Sequence, residues 1–306
     1  MTTGIAYTHS KPESITSKLL KVAMSLVGRK KVFEKEMTSL IIPQDADKIP
    51  RSVRRAFSVT ETPLQGRPVW RISPKEHETE TVIFYIHGGG YIHNITGFHW
   101  SLIRELAGRT GAAVVVPDYP LAPEATCKEV YDYIETAYSG LCAGTSPGNI
   151  VFMGDSAGAG LAFGFAQKLR NENKPQPAHI ILLSPWLDVT MSNPEIAEAD
   201  KKDRMLGIHG LKLAGKSYAG NQDTTHYQIS PIYGDFRNLG RISLFIGTHD
   251  VLWADCRKFR QMMREQGIPL NYYEYPKMFH VWIAVTALKE AQSAIGQITE
   301  LVNPRH

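Results

Sequence analysis

From about residue 80 onward the chain alternates short, almost uninterrupted apolar runs with longer stretches of helical periodicity. Residues 81–86, 112–116, 149–153, 178–183, 242–246 and 271–275 are rich in β-branched and aromatic side chains, and each meets a glycine or proline within two residues of its end. Helix-length segments lie between them, near 98–109, 125–141, 157–171 and 252–266, and a last helix is expected over 281–302. Strands apolar on both faces and alternating with helices predict a mostly parallel central sheet flanked by helices. Residues 54–59 and 68–72 are expected as antiparallel edge strands ahead of it. Two segments break the rhythm. Ile15, Leu19, Leu20, Val22, Ala23, Leu26 and Val27 fall largely on one helical face, which predicts an amphipathic helix docked on the body by its apolar side. A place in a cap, or contact with a lipid surface, are the other uses of such a face. Residues 187–228 are charged and poor in strand signal, and an insertion of that length between core strands is usually functional, a second cap candidate. The expected organisation is an N-terminal helical cap region over 1–50 and one α/β domain over 51–306 that carries the insertion.

Composition narrows the classes. A length of 306 residues suits one α/β domain with insertions. The net charge is +4 and the densest basic cluster is Arg29-Lys30-Lys31, too little for a nucleic-acid stripe. The three cysteines, Cys127, Cys142 and Cys256, are odd in number and lack CxxC spacing. They predict neither a disulfide framework nor a zinc site, and they suit a reducing compartment. No run approaches the ~20 apolar residues of a membrane span. Met1 to Ser14 is polar without a basic n-region, so no signal peptide is read, and a cytoplasmic location is expected. The last helix or an edge strand could pair two copies, but nothing in the sequence selects an oligomeric state.

The chemistry concentrates at strand ends. Gly154-Asp155-Ser156-Ala157-Gly158 matches G-x-S-x-G, with an apolar strand entering and a helix-forming run leaving. A sharp strand-to-helix turn of this kind lifts a serine hydroxyl above the sheet edge. His87-Gly88-Gly89-Gly90 follows directly on the strand at 81–86. Three successive glycines leave backbone N–H groups of Gly88, Gly89 and Gly90 free to bind an oxyanion, together with the N–H of Ala157. A phosphate loop is the competing reading, but the loop lacks a Walker lysine and GxGxxG spacing. His87 is expected to organise this loop. A nucleophilic serine needs a base, and the base an orienting carboxylate. Asp250 follows the fifth run and His280 the sixth, which places them after Ser156 in the order serine, acid, histidine. Asp255 is the rival acid, expected inside a helix, while Asp188 reads as structural and His249 as a poor base. Tyr91, Ile92, Phe98 and Trp100 near the glycine loop are candidates for apolar pocket walls or for ordinary core.

These two motifs, in this order, resemble the hormone-sensitive-lipase-like branch of the α/β hydrolases, the bacterial family IV esterases. Asp118-Tyr119-Pro120-Leu121-Ala122-Pro123-Glu124 is similar to the family's D-Y-R-L-A-P-E, and Ser184-Pro185-Trp186-Leu187-Asp188 to its S-P-x-x-D. The resemblance runs from about residue 65 to the end and implies an α/β-hydrolase fold. It implies Ser156 as nucleophile, Asp250 as acid, His280 as base, an oxyanion hole at Gly88, Gly89, Gly90 and Ala157, and hydrolysis of short- to medium-chain acyl esters without metal or cofactor. Pro120 stands where the family has Arg, and Asp250-Val251-Leu252-Trp253-Ala254-Asp255 departs from D-P-L-x-D. Amide or peptide hydrolysis with the same residues, and non-catalytic small-molecule binding on the same fold, are the alternatives.

Overall fold

The computed structural model describes residues 4–39, 46 and 48–303; of the expected cap region 1–50, residues 1–3, 40–45 and 47 lie outside the described residues. One sheet holds the strands β1 (Ala6–Thr8), β2 (Phe57–Leu64), β3 (Arg67–Pro74), β4 (Val82–Ile86), β5 (Ala113–Pro117), β6 (Ile150–Asp155), β7 (His179–Leu183), β8 (Arg241–Gly247) and β9 (Asn271–Tyr275). Their order is β1-β9-β8-β7-β6-β4-β5-β3-β2. The strands from β4 to β9 pair in parallel, and β3 runs antiparallel to both β5 and β2. Every residue of β4, β5, β6 and β7 is buried, which is why these strands read as continuous apolar runs instead of alternating ones. β1 was not legible: it is three residues long and joins the edge of the sheet parallel to β9.

The helices are α1 (Ile15–Leu26), α2 (Arg29–Ser39), α3 (Arg51–Ala56), α4 (Gly97–Thr110), α5 (Cys127–Cys142), α6 (Ser156–Asn171), α7 (Ile196–Asp200), α8 (Ile208–Ala219), α9 (Trp253–Glu265) and α10 (Lys289–Val302). The pleat of β4 sorts the core into two layers. Val82, Phe84 and Ile86 pack with residues of α5, α6 and α9, and Ile83 and Tyr85 with residues of α4 and α10. Among the described residues no helix is long and apolar enough to cross a membrane.

Two expectations change, and the 187–228 segment gains detail. The last helix starts at Lys289, not near 281, because Val281 takes a left-handed conformation (φ +49°) and Trp282–Ala284 form a 3₁₀ turn. The 187–228 segment does carry helices, α7 and α8, and α8 packs against α2, where the Glu34 carboxylate accepts the Gly210 N–H at 2.7 Å. The helix near the start forms as its periodicity predicts, but of its apolar residues only Leu20 and Met24 pack on the core and most of the rest point outward. Ile15, Leu19, Val22, Leu26 and Val27 are 75%, 65%, 55%, 82% and 69% exposed, while Ser17 is buried. Polar anchors flank the docked side. The Glu290 carboxylate at the head of α10 accepts both the backbone N–H and the hydroxyl of Ser14, and Lys21 pairs with Glu13 and donates to the Lys277 carbonyl.

Candidate active site

β6 passes into α6 without a loop, and Ser156 is the first helical residue. Its φ of +52° lies in the left-handed region, where a residue with a Cβ sits only under constraint. The constraint is backbone crowding. A Cβ on Gly158 would stand 2.1 Å from the Ile86 carbonyl oxygen, and one on Gly154 2.6 Å from that of Gly158. Glycine is therefore required on both sides of the serine. The Trp186 N–H donates to the Ser156 carbonyl at 3.0 Å and holds the turn from the β7 side.

The loops after β8 and β9 bring Asp250 and His280 to this turn. His280 Nδ1 lies 2.8 Å from Asp250 Oδ2, and its Nε2 lies 2.9 Å from Ser156 Oγ. A carboxylate can only accept, so Nδ1–H donates to Asp250 and Nε2 is left to take the serine proton. Asp250 is wholly buried, and its other oxygen accepts the Leu252 N–H at 2.9 Å. Burial by itself would lower the pKa of His280. The negative charges of Asp250, Asp203 and Asp155 outweigh it, so the ring holds a proton to higher pH than a free imidazole.

Asp203, which the sequence did not single out, comes from the insertion. Its buried carboxylate accepts the Val251 N–H at 2.8 Å and the N–H groups of Met205 and Leu206 at 2.7 and 2.9 Å. It thus ties the insertion to the loop that bears Asp250. Burial and the charge of Asp250 hold its carboxyl above the usual range.

The glycine loop is fixed from below. Asp155 Oδ1 accepts from the Tyr85 hydroxyl at 2.6 Å and from the Gly88 N–H at 3.0 Å, while Oδ2 lies 3.3 Å from His99 Nε2. Burial alone would raise the pKa of Asp155, and His99, Tyr85 and the Gly88 N–H together bring it below the ordinary value. The expectation for Gly88 is corrected here: its N–H is spent on Asp155 and is not free for an oxyanion. The N–H groups of Gly89 and Gly90 have no backbone or side-chain acceptor among the described residues, and Ala157, in the first turn of α6, has none one turn back. Met37 of α2 and Ala214 of α8 lie over Gly90, 3.2 and 3.9 Å from where its Cβ would be. His87 Nδ1 donates to the Gly88 carbonyl and the ring stacks on Tyr119; burial lowers its pKa to about 3, so it is neutral and committed to the loop.

The other candidates fall elsewhere. Asp255 sits in α9, accepts from Asn193 at 2.9 Å, and burial raises its pKa to about 7. Asp188 accepts from Thr190, Ser192 and Tyr233. Tyr91, Ile92 and Trp100 are buried packing residues, Tyr91 stacked on Tyr218 and Trp186, while Phe98 is 62% exposed. Where Pro120 replaces the arginine of the family pattern, Asp118 pairs with Arg67 of β3 at 2.8 Å. Together, a hydroxyl with a proton acceptor at 2.9 Å and unspent N–H groups near it are equipped for attack on a carbonyl carbon.

Known proteins agree with this architecture. A family model described as alpha/beta hydrolase fold matches residues 83–284. The chain is 32% identical over 212 residues to an acetyl-hydrolase of Streptomyces hygroscopicus, covering 69% of this chain and 71% of that protein. It is 30% identical over 227 residues to an esterase of Acinetobacter venetianus, covering 72% and 73%. A solved hormone-sensitive lipase from a metagenome library superposes with a TM-score of 0.81 at 25% identity, over 95% of this chain and 99% of that one.

Proposed function

Because the chain belongs to the α/β-hydrolase family and is a carboxylic ester hydrolase, we propose that Ser156 is its nucleophile, His280 its general base and Asp250 the carboxylate that orients the base. The observation that carries this reading is the unbroken line of hydrogen bonds from Asp250 through His280 to Ser156. As Oγ attacks the ester carbonyl, its proton passes to Nε2 of His280. Asp250 holds the Nδ1–H tautomer and stabilises the imidazolium. The carbonyl oxygen gathers negative charge and is met by the N–H groups of Gly89, Gly90 and Ala157, with the N-terminus of α6 adding favourable potential. The imidazolium returns the proton to the departing alkoxide. Water then repeats the sequence on the acyl-enzyme, and the carboxylic acid leaves.

The N-terminal region and the insertion act as a cap in this reading. Its support is that α2 and α8 pack on each other and both reach the glycine loop. The substrates are esters of short- to medium-chain acids. An acetyl-hydrolase among the relatives supports this. A p-nitrophenyl ester chain-length series on the wild type and on Ser156→Ala tests both parts. Rates that peak at short or medium chains and collapse in the variant are expected. A variant that keeps wild-type rates refutes the nucleophile, and rates that climb steadily to long chains refute the substrate class.

A further inference from the structure

α1 lies by its docked side against the loop that leads to His280, with its apolar face turned outward. Lys21 donates to the Lys277 carbonyl at 3.1 Å and the Ser17 hydroxyl lies 3.9 Å from Met278 Sδ, both in the loop that ends at His280. Between α1 and the Asp250 loop lies a pocket of about 280 Å³, lined by Lys18, Lys21, Val22, Ser25, Arg204 and His249. Lys18 and Arg204 are exposed, and neither has an ion-pair partner among the described residues. Besides burial, the charges of Lys21, Lys202 and Lys277 lower the pKa of His249, and the acid that opposes them, Glu13, is already paired with Lys21 at 2.6 Å. The pocket is therefore cationic. Next to it Ile15, Leu19, Val22 and Leu26 recur every three to four residues and, with Val27, make an exposed apolar stripe.

An apolar stripe edged by lysines is the form of a helix that lies in the plane of a lipid headgroup layer. A second copy of the chain fits this patch poorly. A two-fold contact would set the patch against itself and bring Lys18, Lys202 and Arg204 against like charges. We propose that α1 docks the protein on the surface of an anionic phospholipid membrane. The stripe enters the acyl boundary, and a headgroup phosphate sits among Lys18, Arg204 and their lysine neighbours. That orientation turns the loops bearing Asp250 and His280 toward the bilayer.

Co-sedimentation of the full chain with extruded vesicles tests this without requiring turnover, so its outcome is independent of Ser156. Vesicles of phosphatidylcholine alone are compared with an equal mixture of phosphatidylcholine and phosphatidylglycerol. Binding to the mixed vesicles that weakens with salt is expected, with little binding to phosphatidylcholine alone. Lys18→Gln with Arg204→Gln should weaken partitioning about 30-fold, from the usual contribution of two surface cations. Leu19→Ser with Leu26→Ser should weaken it about tenfold or more, from lost apolar burial. All four side chains are exposed, so thermal unfolding midpoints should stay at the wild-type value, and the single variant Leu26→Ser gives the same reading if a double variant unfolds early. The proposal is overturned if mixed vesicles do not bind the chain, if the leucine variants bind as the wild type does, or if light scattering finds a dimer held by α1 in place of vesicle binding.

Discussion

Asp250 with His280 and Asp155 with His99 are two buried carboxylate–imidazole pairs at one end of the same sheet, separated by 2.8 and 3.3 Å. Their second contacts differ. The far nitrogen of His280 reaches a serine hydroxyl, whereas that of His99 accepts the backbone N–H of Thr96 at 2.9 Å and is locked into the cap of α4. Asp250 gives one oxygen to its histidine and the other to the Leu252 N–H. Asp155 divides its oxygens among Tyr85, Gly88 and His99, which belong to β4, the glycine loop and α4. In the proposed reading one pair moves a proton at Ser156, and the other braces the glycine loop through the Gly88 N–H. The pairing of residue types does not fix the role; the partner of the second ring nitrogen does.

The contrast can be broken by substitution. Ser156→Ala removes the hydroxyl and leaves both pairs standing, so kcat should fall by ~10⁶ with the unfolding midpoint preserved. Asp250→Asn takes away the acceptor that fixes the His280 tautomer, and a loss of ~10⁴ in kcat with little change in KM is expected in steady-state kinetics. Asp155→Asn should cost less in rate, ~10²–10³ through a loosened glycine loop. It should also lower the thermal midpoint, because a buried network loses its central charge. A larger loss of rate in Asp155→Asn than in Asp250→Asn would reverse the assignment of the two pairs. The smallest effect is on a pH profile. His280 must be neutral to accept the serine proton, and its pKa lies above that of a free imidazole, so as the pH falls kcat/KM should start to decline at a higher pH than a free imidazole would give. Asp203 contributes to that elevation, and Asp203→Asn should move the acid limb to lower pH. An unmoved limb would mean that Asp203 only positions the Val251 backbone.

Ser156, Asp250 and His280 could be singled out in the sequence because each has a local context. Ser156 lies between two glycines that the crowded turn demands, and Asp250 and His280 stand just past strands that read clearly as apolar runs. Asp155 occupies a variable position of G-x-S-x-G, and its partners Tyr85 and His99 lie in other elements, so nothing local marks it. Asp203 stands in Lys201-Lys202-Asp203-Arg204, a charged run that reads as a solvated surface until the fold buries one carboxylate against the Asp250 loop. Gly88 was legible as a member of the glycine loop, but the direction of its N–H depends on Asp155. For α1 the periodicity gave the apolar face but not the side that docks. The docked side joins Leu20 and Met24, packed on the core, to the contacts of Ser14 with Glu290 and of Lys21 with the loop before His280, all far apart in the chain.

The central claim is that the hydroxyl of Ser156 is the group that attacks the ester carbonyl, made reactive by His280 and Asp250. A fluorophosphonate probe reacts covalently with such a serine, and peptide mass spectrometry locates the adduct. The account predicts one adduct per folded chain, on Ser156, absent in Ser156→Ala and formed far more slowly in His280→Ala. An adduct on another residue, or no adduct on a folded chain that still hydrolyses esters, would contradict it.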